Sequence, residues 1–193
     1  MRADAAQRRE AIIISARHVF AERGGDVALE AVAAASGVGI ATLYRNFPSR
    51  DDLIRAVIDD MVREILEMVA EARASVEKDP EGAWKGLLAG LMGMELGALT
   101  DGLGLQAGTG TGTGTGTGEA SPLVDVQQPA LNALEELLTI LKRTNAVRKN
   151  ITALEVVVAV ATITRPQAAA IREAAPSVPG QLAEAYLLWS RSG

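Results

Sequence analysis

Four neighbouring side chains, Thr42, Tyr44, Arg45 and Asn46, concentrate hydrogen-bonding chemistry in this 193-residue chain. Hydroxyl, phenol, guanidinium and amide groups all donate to phosphate oxygens, and arginine and asparagine also pair with base edges in a major groove. The four surround Leu43 and Phe47, an i, i+4 apolar pair that fixes the inner side of a short helix over Ile40–Phe47 and leaves them on its flanks and outer face. Gly39 and Ile40 open that helix and complete the DNA-facing set. Arg50 stands at the start of the next helix, where a cation and free backbone N–H groups can meet a phosphate together. The pattern suits contact with nucleic acid. Its plain alternative is a helical hairpin that only packs, with Tyr44 an ordinary surface tyrosine.

Such a reader needs support. Ala5–Arg23 spaces Ile12, Ala16, Val19 and Phe20 along one helical face. Gly24 and Gly25 end that helix, since glycine enters the left-handed region at no steric cost. Leu29–Ser36 reads as a second, short helix with Leu29, Val32 and Ala33 inward, and Gly37 breaks it. Two short helices about a turn of roughly 3–4 residues containing Gly, backed by a third, form an arrangement that presents one helix to a major groove.

Residues 8–55 resemble the N-terminal domain of tetracycline-repressor (TetR) family transcriptional regulators. The resemblance is carried by Ile12, Phe20-Ala21-Glu22-Arg23-Gly24, Val32-Ala33, Gly37-Val38, Ala41-Thr42-Leu43-Tyr44, Phe47, Arg50 and Leu53. It implies an all-α protein: an N-terminal three-helix domain with a helix-turn-helix over residues 1–50, then a helical ligand-binding and dimerisation domain over 51–193. Several positions depart from the family pattern. Ala28 replaces a frequent Ser or Thr cap, at a cost of ~0.5–2 kcal/mol, with Asp26 a possible substitute. Gly39 replaces a frequent Ser, Asn46 a common His, and Arg50 a common Lys. These leave hydrogen-bonding capacity in place and the preferred DNA sequence open.

The whole chain carries a net charge of −5, unusual for a DNA binder. Residues 1–50, however, hold seven Arg against five acids, net +2, while the remainder is net −7, so the positive charge belongs to the reader. An excess this small implies a phosphate grip of a few placed groups, doubled by dimerisation. No cysteine is present, which excludes disulfides, thiolate metal sites and cysteine nucleophiles. His18 is the only histidine, so no histidine-based triad or metal site can be assembled from one chain. No catalytic residue, metal or cofactor is expected. The charged N-terminus lacks a secretory core, and the apolar runs 89–105 and 156–163 fall short of the ~20 uninterrupted residues of a membrane span. We expect a bacterial cytoplasmic protein, nucleoid-associated when bound to DNA.

Asp51–Lys78 reads as one long amphipathic helix. Asp79-Pro80 starts another, running through Trp84, Leu88, Leu91 and Met92 to Leu99. Gly86, Gly90, Gly93 and Gly97 lie within it, pointing to close helix packing or to a cavity beside the backbone. The strict Gly-Thr alternation of 108–118 reads as a flexible loop over 107–120. Leu123–Thr144 resumes a helix that Pro129 kinks or restarts. Thr152 and Glu155 form a capping box for an apolar helix to Thr164. Pro176 and Pro179 bracket a loop before a last helix over Gln181–Arg191.

The resemblance further implies a small-molecule effector site between the helices of the second domain, which suits a mostly apolar ligand. Candidate lining residues are Trp84, Leu88, Met92 and Leu137, with Glu95 as a polar anchor; plain core packing is the alternative for each. The two terminal helices are apolar enough to build a two-fold homodimer interface, for which Val156, Val160, Ile163, Leu182, Tyr186 and Trp189 are candidates; burial within one chain is the alternative. The reading is a transcriptional regulator that represses at a double-stranded DNA operator and is released by a small molecule, without membrane association. A helical ligand-binding or scaffolding dimer without specific DNA binding is the other class, and a small helical hydrolase would need a convergent polar cluster.

Overall fold

The computed structural model describes residues 2–24, 26–94, 96–102, 122–166 and 169–191. Among them lie ten α-helices and no strand: α1 Arg2–Arg23, α2 Leu29–Ala35, α3 Ile40–Asn46, α4 Arg50–Ser75, α5 Pro80–Gly93, α6 Leu96–Gly102, α7 Pro122–Arg143, α8 Ala153–Ile163, α9 Ala169–Ala174 and α10 Val178–Ser190. They fall into two compact units, residues 1–61 with 99–126, and residues 62–98 with 127–193. The sequence-based division at residue 50 separates the reader by chemistry, whereas by packing the first unit extends through the opening turns of α4. The Gly-Thr segment 107–120 lies outside the described residues.

In the first unit, Ile12, Ala16 and Phe20 of α1 and Val32 of α2 are buried, as are Leu43, Phe47, Leu53 and Val57. The turns are set by local chemistry. Gly24 sits at φ 87° and donates to the Phe20 carbonyl at 2.9 Å, closing α1. Gly37 sits at φ 69°; its N–H reaches Ala34 O at 3.2 Å while Val38 N–H reaches Ala33 O at 3.0 Å. This paired closure satisfies the last carbonyls of α2 and aims the chain into α3. Asp26 does not cap α2: the N-cap is Ala28, with no side-chain hydrogen bond. Asp26 stands two residues too early for the position whose side chain reaches the second or third helical N–H.

The second unit is built on Trp84, Leu87 and Leu91 of α5, Leu134, Leu137, Leu138 and Leu141 of α7, and Val156 and Val160 of α8, all buried. Helix α5 packs on α8, and α10 packs on both. Asp79 caps α5 by accepting from Gly82 N–H at 2.9 Å, with Pro80 in the first turn. The capping box of α8 is present, with Glu155 N–H donating to Thr152 Oγ1 and Thr152 N–H to Glu155 Oε2. Glu135 of α7 supplies a further acceptor, 2.7 Å from Ala153 N–H, and binds Lys142 Nζ at 3.1 Å. Burial raises the Glu135 carboxyl, but these two donors outweigh it and hold the pKa below the ordinary value. Helix α7 closes on Asn145, at φ 55°, with Ala146 N–H on Leu141 O at 3.0 Å.

Three expectations are corrected. The helix from Pro80 does not reach Leu99; α5 stops at Gly93 and α6 begins at Leu96. The N–H of Gly97, which a continuous helix would direct to Gly93, donates to Thr164 Oγ1 at 2.8 Å instead. Pro129 does not restart α7, which is helical on both sides of it. The segment before the last helix contains α9, and Pro179 lies inside the first turn of α10, where its missing N–H costs nothing. The glycines divide by role: a Cβ at Gly97 would strike the backbone of Ala161 and Thr164, and one at Gly90 the Met68 side chain, whereas Gly86 and Gly93 have nothing within 4 Å.

Candidate nucleic-acid interface

Helix α3 is held from its apolar side. Leu43 is fully buried, and Phe47, the C-cap, is buried with its N–H on Leu43 O at 2.8 Å. The Arg9 guanidinium of α1 lies over the Phe47 ring, 4.8 Å from its centroid, a cation–π contact that fixes the end of α3. With that side anchored, Tyr44 stands 47% exposed, Ala41 and Arg45 are exposed, and Ile40, Thr42 and Asn46 are half-buried.

The polar side chains are ordered along their own helix. Arg45 donates from Nε to Ala41 O at 3.2 Å and from Nη2 to Thr42 Oγ1 at 2.8 Å. Asn46 donates from Nδ2 to Thr42 O at 2.8 Å. Thr42 is thus the hub of the reader, receiving both neighbours through different oxygens. Arg45 keeps further N–H donors and Asn46 its carbonyl, the groups that pair with phosphates or base edges.

Arg50 opens α4 and turns its Nη2 to the Val27 carbonyl, 2.6 Å away. The N-cap role beside it belongs to Ser49: Ser49 N–H and Oγ donate to Asp52 Oδ2 at 3.1 and 2.7 Å, and Asp52 N–H donates to Ser49 Oγ at 3.1 Å. This reciprocal cap was legible as Ser49-x-x-Asp52 but went unread. It occupies one backbone N–H that had been offered to phosphate and places two carboxylates, Asp51 and Asp52, in the first turn.

Of the seven DNA-facing candidates, Gly39, Thr42, Arg45 and Asn46 line one open cleft of about 570 Å³, together with Ala5, Arg8, Gly37 and Val38. Ile40 and Tyr44 share α3 but not the cleft wall. Arg8 is the residue that sequence reasoning missed; it lies outside the helix-turn-helix, on a helix read only as support.

In the second unit, Trp84, Leu88 and Leu137 are core residues, Met92 is half-buried, and Glu95 lies outside the described residues. The Trp84 indole donates to Ser190 Oγ at 2.9 Å. A cleft of about 270 Å³ in this unit is lined by Glu81, Gly82, Lys85, Leu187 and Arg191. On the terminal helices Val156 and Val160 are buried in the core of their own unit. Ile163 and Tyr186 are half-buried, and Leu182 and Trp189 are exposed. Leu154 at 57%, Val158 at 43% and Leu188 at 63% exposure are apolar surface that the sequence reading did not select. Among the described residues no group of three or more His, Asp or Glu side chains could hold a metal ion, and no helix is long and apolar enough to cross a membrane.

The family model described as bacterial regulatory proteins, tetR family, matches residues 12–57. No curated protein matches the chain. Among solved structures, a TetR transcriptional regulator from Streptomyces coelicolor is 26% identical over 95% of this chain and 98% of its own, with a TM-score of 0.65. A TetR transcription regulatory protein from Mycobacterium vanbaalenii is 24% identical over 98% of each chain, with a TM-score of 0.59. A gamma-butyrolactone receptor described as ArpA-like shares the fold at 19% identity over 94% of this chain and 99% of its own, with a TM-score of 0.51. With the family match lying on α1 to α4 and the likeness to TetR transcriptional regulators spanning both units, residues 12–57 form a tetR-family DNA-binding domain and the chain is a DNA-binding transcriptional regulator.

Proposed function

We propose that the chain acts as a homodimeric repressor whose two α3 helices enter successive major grooves of a near-palindromic operator, and that a small molecule bound by the second unit releases it. The observation that carries this reading is the division of α3 into a buried side, Leu43 and Phe47, and an outer side bearing Thr42, Tyr44, Arg45 and Asn46. Thr42, Tyr44 and Arg50 contact phosphate, Arg45 and Asn46 contact phosphate or base edges, and Gly39 and Ile40 let the backbone approach. Dimerisation uses the exposed apolar residues of α8 and α10, with Leu154, Val158, Leu182 and Trp189 meeting their counterparts about a two-fold axis. The reading assigns no catalytic residue and places the protein in the bacterial cytoplasm.

The test is a binding titration on a labelled fragment of the gene's own upstream DNA against scrambled competitor at fixed salt. Specific retention at nanomolar to micromolar protein is expected. Equal retention of both DNAs would overturn the reading and leave a helical scaffold.

A further inference from the structure

The cleft beside α3 joins residues from two elements that the helix-turn-helix motif does not connect. Arg8, on the second turn of α1, lines it together with Arg45 and Asn46 of α3 and the Gly37–Gly39 turn. Its eight lining residues include two guanidinium groups and no carboxylate; Asp4 and Glu10, on the same helix as Arg8, are not among them. Like charges directed at one wet cleft repel each other unless an anion lies between them. Arg45 has committed Nε and Nη2 to its own helix, and its remaining N–H groups are available for such an anion. Arg8 is exposed. The wall between them is bare: a Cβ at Gly37 or Gly39 would meet nothing within 4 Å, so a bulky ligand can come close to the backbone.

Position decides what the anion is. Thr42, Arg45 and Asn46 belong both to this cleft and to the outer side of α3, so a duplex seated on α3 runs past the cleft mouth. Arg9, next in sequence, sits over the Phe47 ring and ties this part of α1 to the end of α3, so the two arginines are held in register with the reader. We infer that Arg8 is a DNA-contact residue, a phosphate clamp contributed by α1 that closes with Arg45 on the sugar-phosphate backbone flanking the groove read by α3. The inference rests on the DNA-binding reading given above. A guanidinium suits the role because its planar fork takes two phosphate oxygens at once.

The experiment compares wild type, Arg8→Ala and Arg8→Lys in the full chain on the upstream fragment at several salt concentrations, with thermal unfolding of each. Arg8→Ala is expected to bind about tenfold more weakly per half-site, the worth of one hydrogen-bonded charge. Its loss should be equal on specific and scrambled DNA, with the logarithmic salt slope reduced by about 1 per half-site. Arg8→Lys should recover the slope, and the unfolding midpoint should be the same in all three. If wild type binds its fragment and Arg8→Ala shows the same salt slope, the clamp is wrong and the regulator reading stands, whatever the affinity change. If wild type itself does not distinguish the fragment from scrambled DNA, the operator reading fails and the clamp falls with it.

Discussion

Arg50 and Val27 are joined across 23 residues by one hydrogen bond, from Nη2 of Arg50 to the Val27 carbonyl at 2.6 Å. The bond ties the first turn of α4 to the segment that enters α2, so Arg50 braces the reader as well as offering it a charge. Arg50→Ala should therefore do two things at once. It should cost about 1 kcal/mol of stability, a charged hydrogen bond discounted for partial exposure, and it should weaken DNA binding while flattening its salt dependence. Tyr44→Phe removes only an exposed hydroxyl; it should weaken all DNA sequences alike with no change in unfolding midpoint. Thermal unfolding paired with titrations at several salt concentrations separates the two. A fall in stability with an unchanged salt slope for Arg50→Ala would leave the brace and remove the phosphate contact.

The helices of the reader were legible because every signal there is local. Phe20, Leu43 and Phe47 follow the helical period, Gly24 and Gly37 take the left-handed turns that close α1 and α2, and the exposed polar residues are what remains of α3. What sequence could not give was settled at a distance. The first turn of α6 finds an acceptor for Gly97 N–H in Thr164, 67 residues away. In α8, nearly every residue is apolar, so periodicity cannot tell Val156 and Val160, which face the core, from Leu154 and Val158, which do not. Arg8 was missed because its role depends on where α1 passes α3, which no spacing records.

Gly97 and Gly86 should respond to alanine with opposite signs. A Cβ at Gly97 meets the Thr164 carbonyl carbon at 2.7 Å and the Arg165 nitrogen at 2.5 Å, and backbone cannot move aside as a side chain can. Gly97→Ala should cost about 1–3 kcal/mol, the range for overpacking. Gly86, exposed in α5 with no neighbour within 4 Å, pays only the entropy of a helical glycine. Gly86→Ala should gain about 0.8–1 kcal/mol. Urea unfolding of both variants is the check, and a loss on Gly86→Ala would mean that another surface approaches α5 there.

Trp84 and Ser190 form a buried pair whose value lies in mutual satisfaction. The indole N–H donates to Ser190 Oγ at 2.9 Å, and that hydroxyl donates onward to Leu187 O at 2.8 Å, so α10 is pinned to α5 at its last turn. Arg148 secures the same turn by donating its N–H to Ser190 O at 2.9 Å and stacking on Trp189. Ser190→Ala leaves the indole donor without a partner and should cost about 1–3 kcal/mol. In a Trp84→Phe background the same change should cost less, because the donor is gone. A double-mutant cycle on unfolding free energies measures the difference; additive losses would show that the bond contributes nothing beyond packing.

Tyr186 sets a pH dependence on the alkaline side. Its hydroxyl is buried with no hydrogen-bond partner among the described residues, and its ring stacks on Trp189 at 5.6 Å. Burial, with the negative charge of Glu155 adding, pushes the phenol up to about 12. The unfolded phenol ionises near 10. Between these values the unfolded chain has lost the proton that the folded chain keeps, so the unfolded state binds fewer protons and stability falls as pH rises. The contribution is intact below about pH 10 and is lost progressively up to about pH 12. Only two tyrosines are present, so a Tyr44→Phe variant reports Tyr186 alone by its ultraviolet ionisation. In that background, adding Tyr186→Phe should remove the corresponding part of the alkaline stability loss and cost little at neutral pH, since it deletes an unpaired hydroxyl. An ordinary tyrosine titration, or identical alkaline stability curves with and without Tyr186→Phe, would show that this hydroxyl is reached by water.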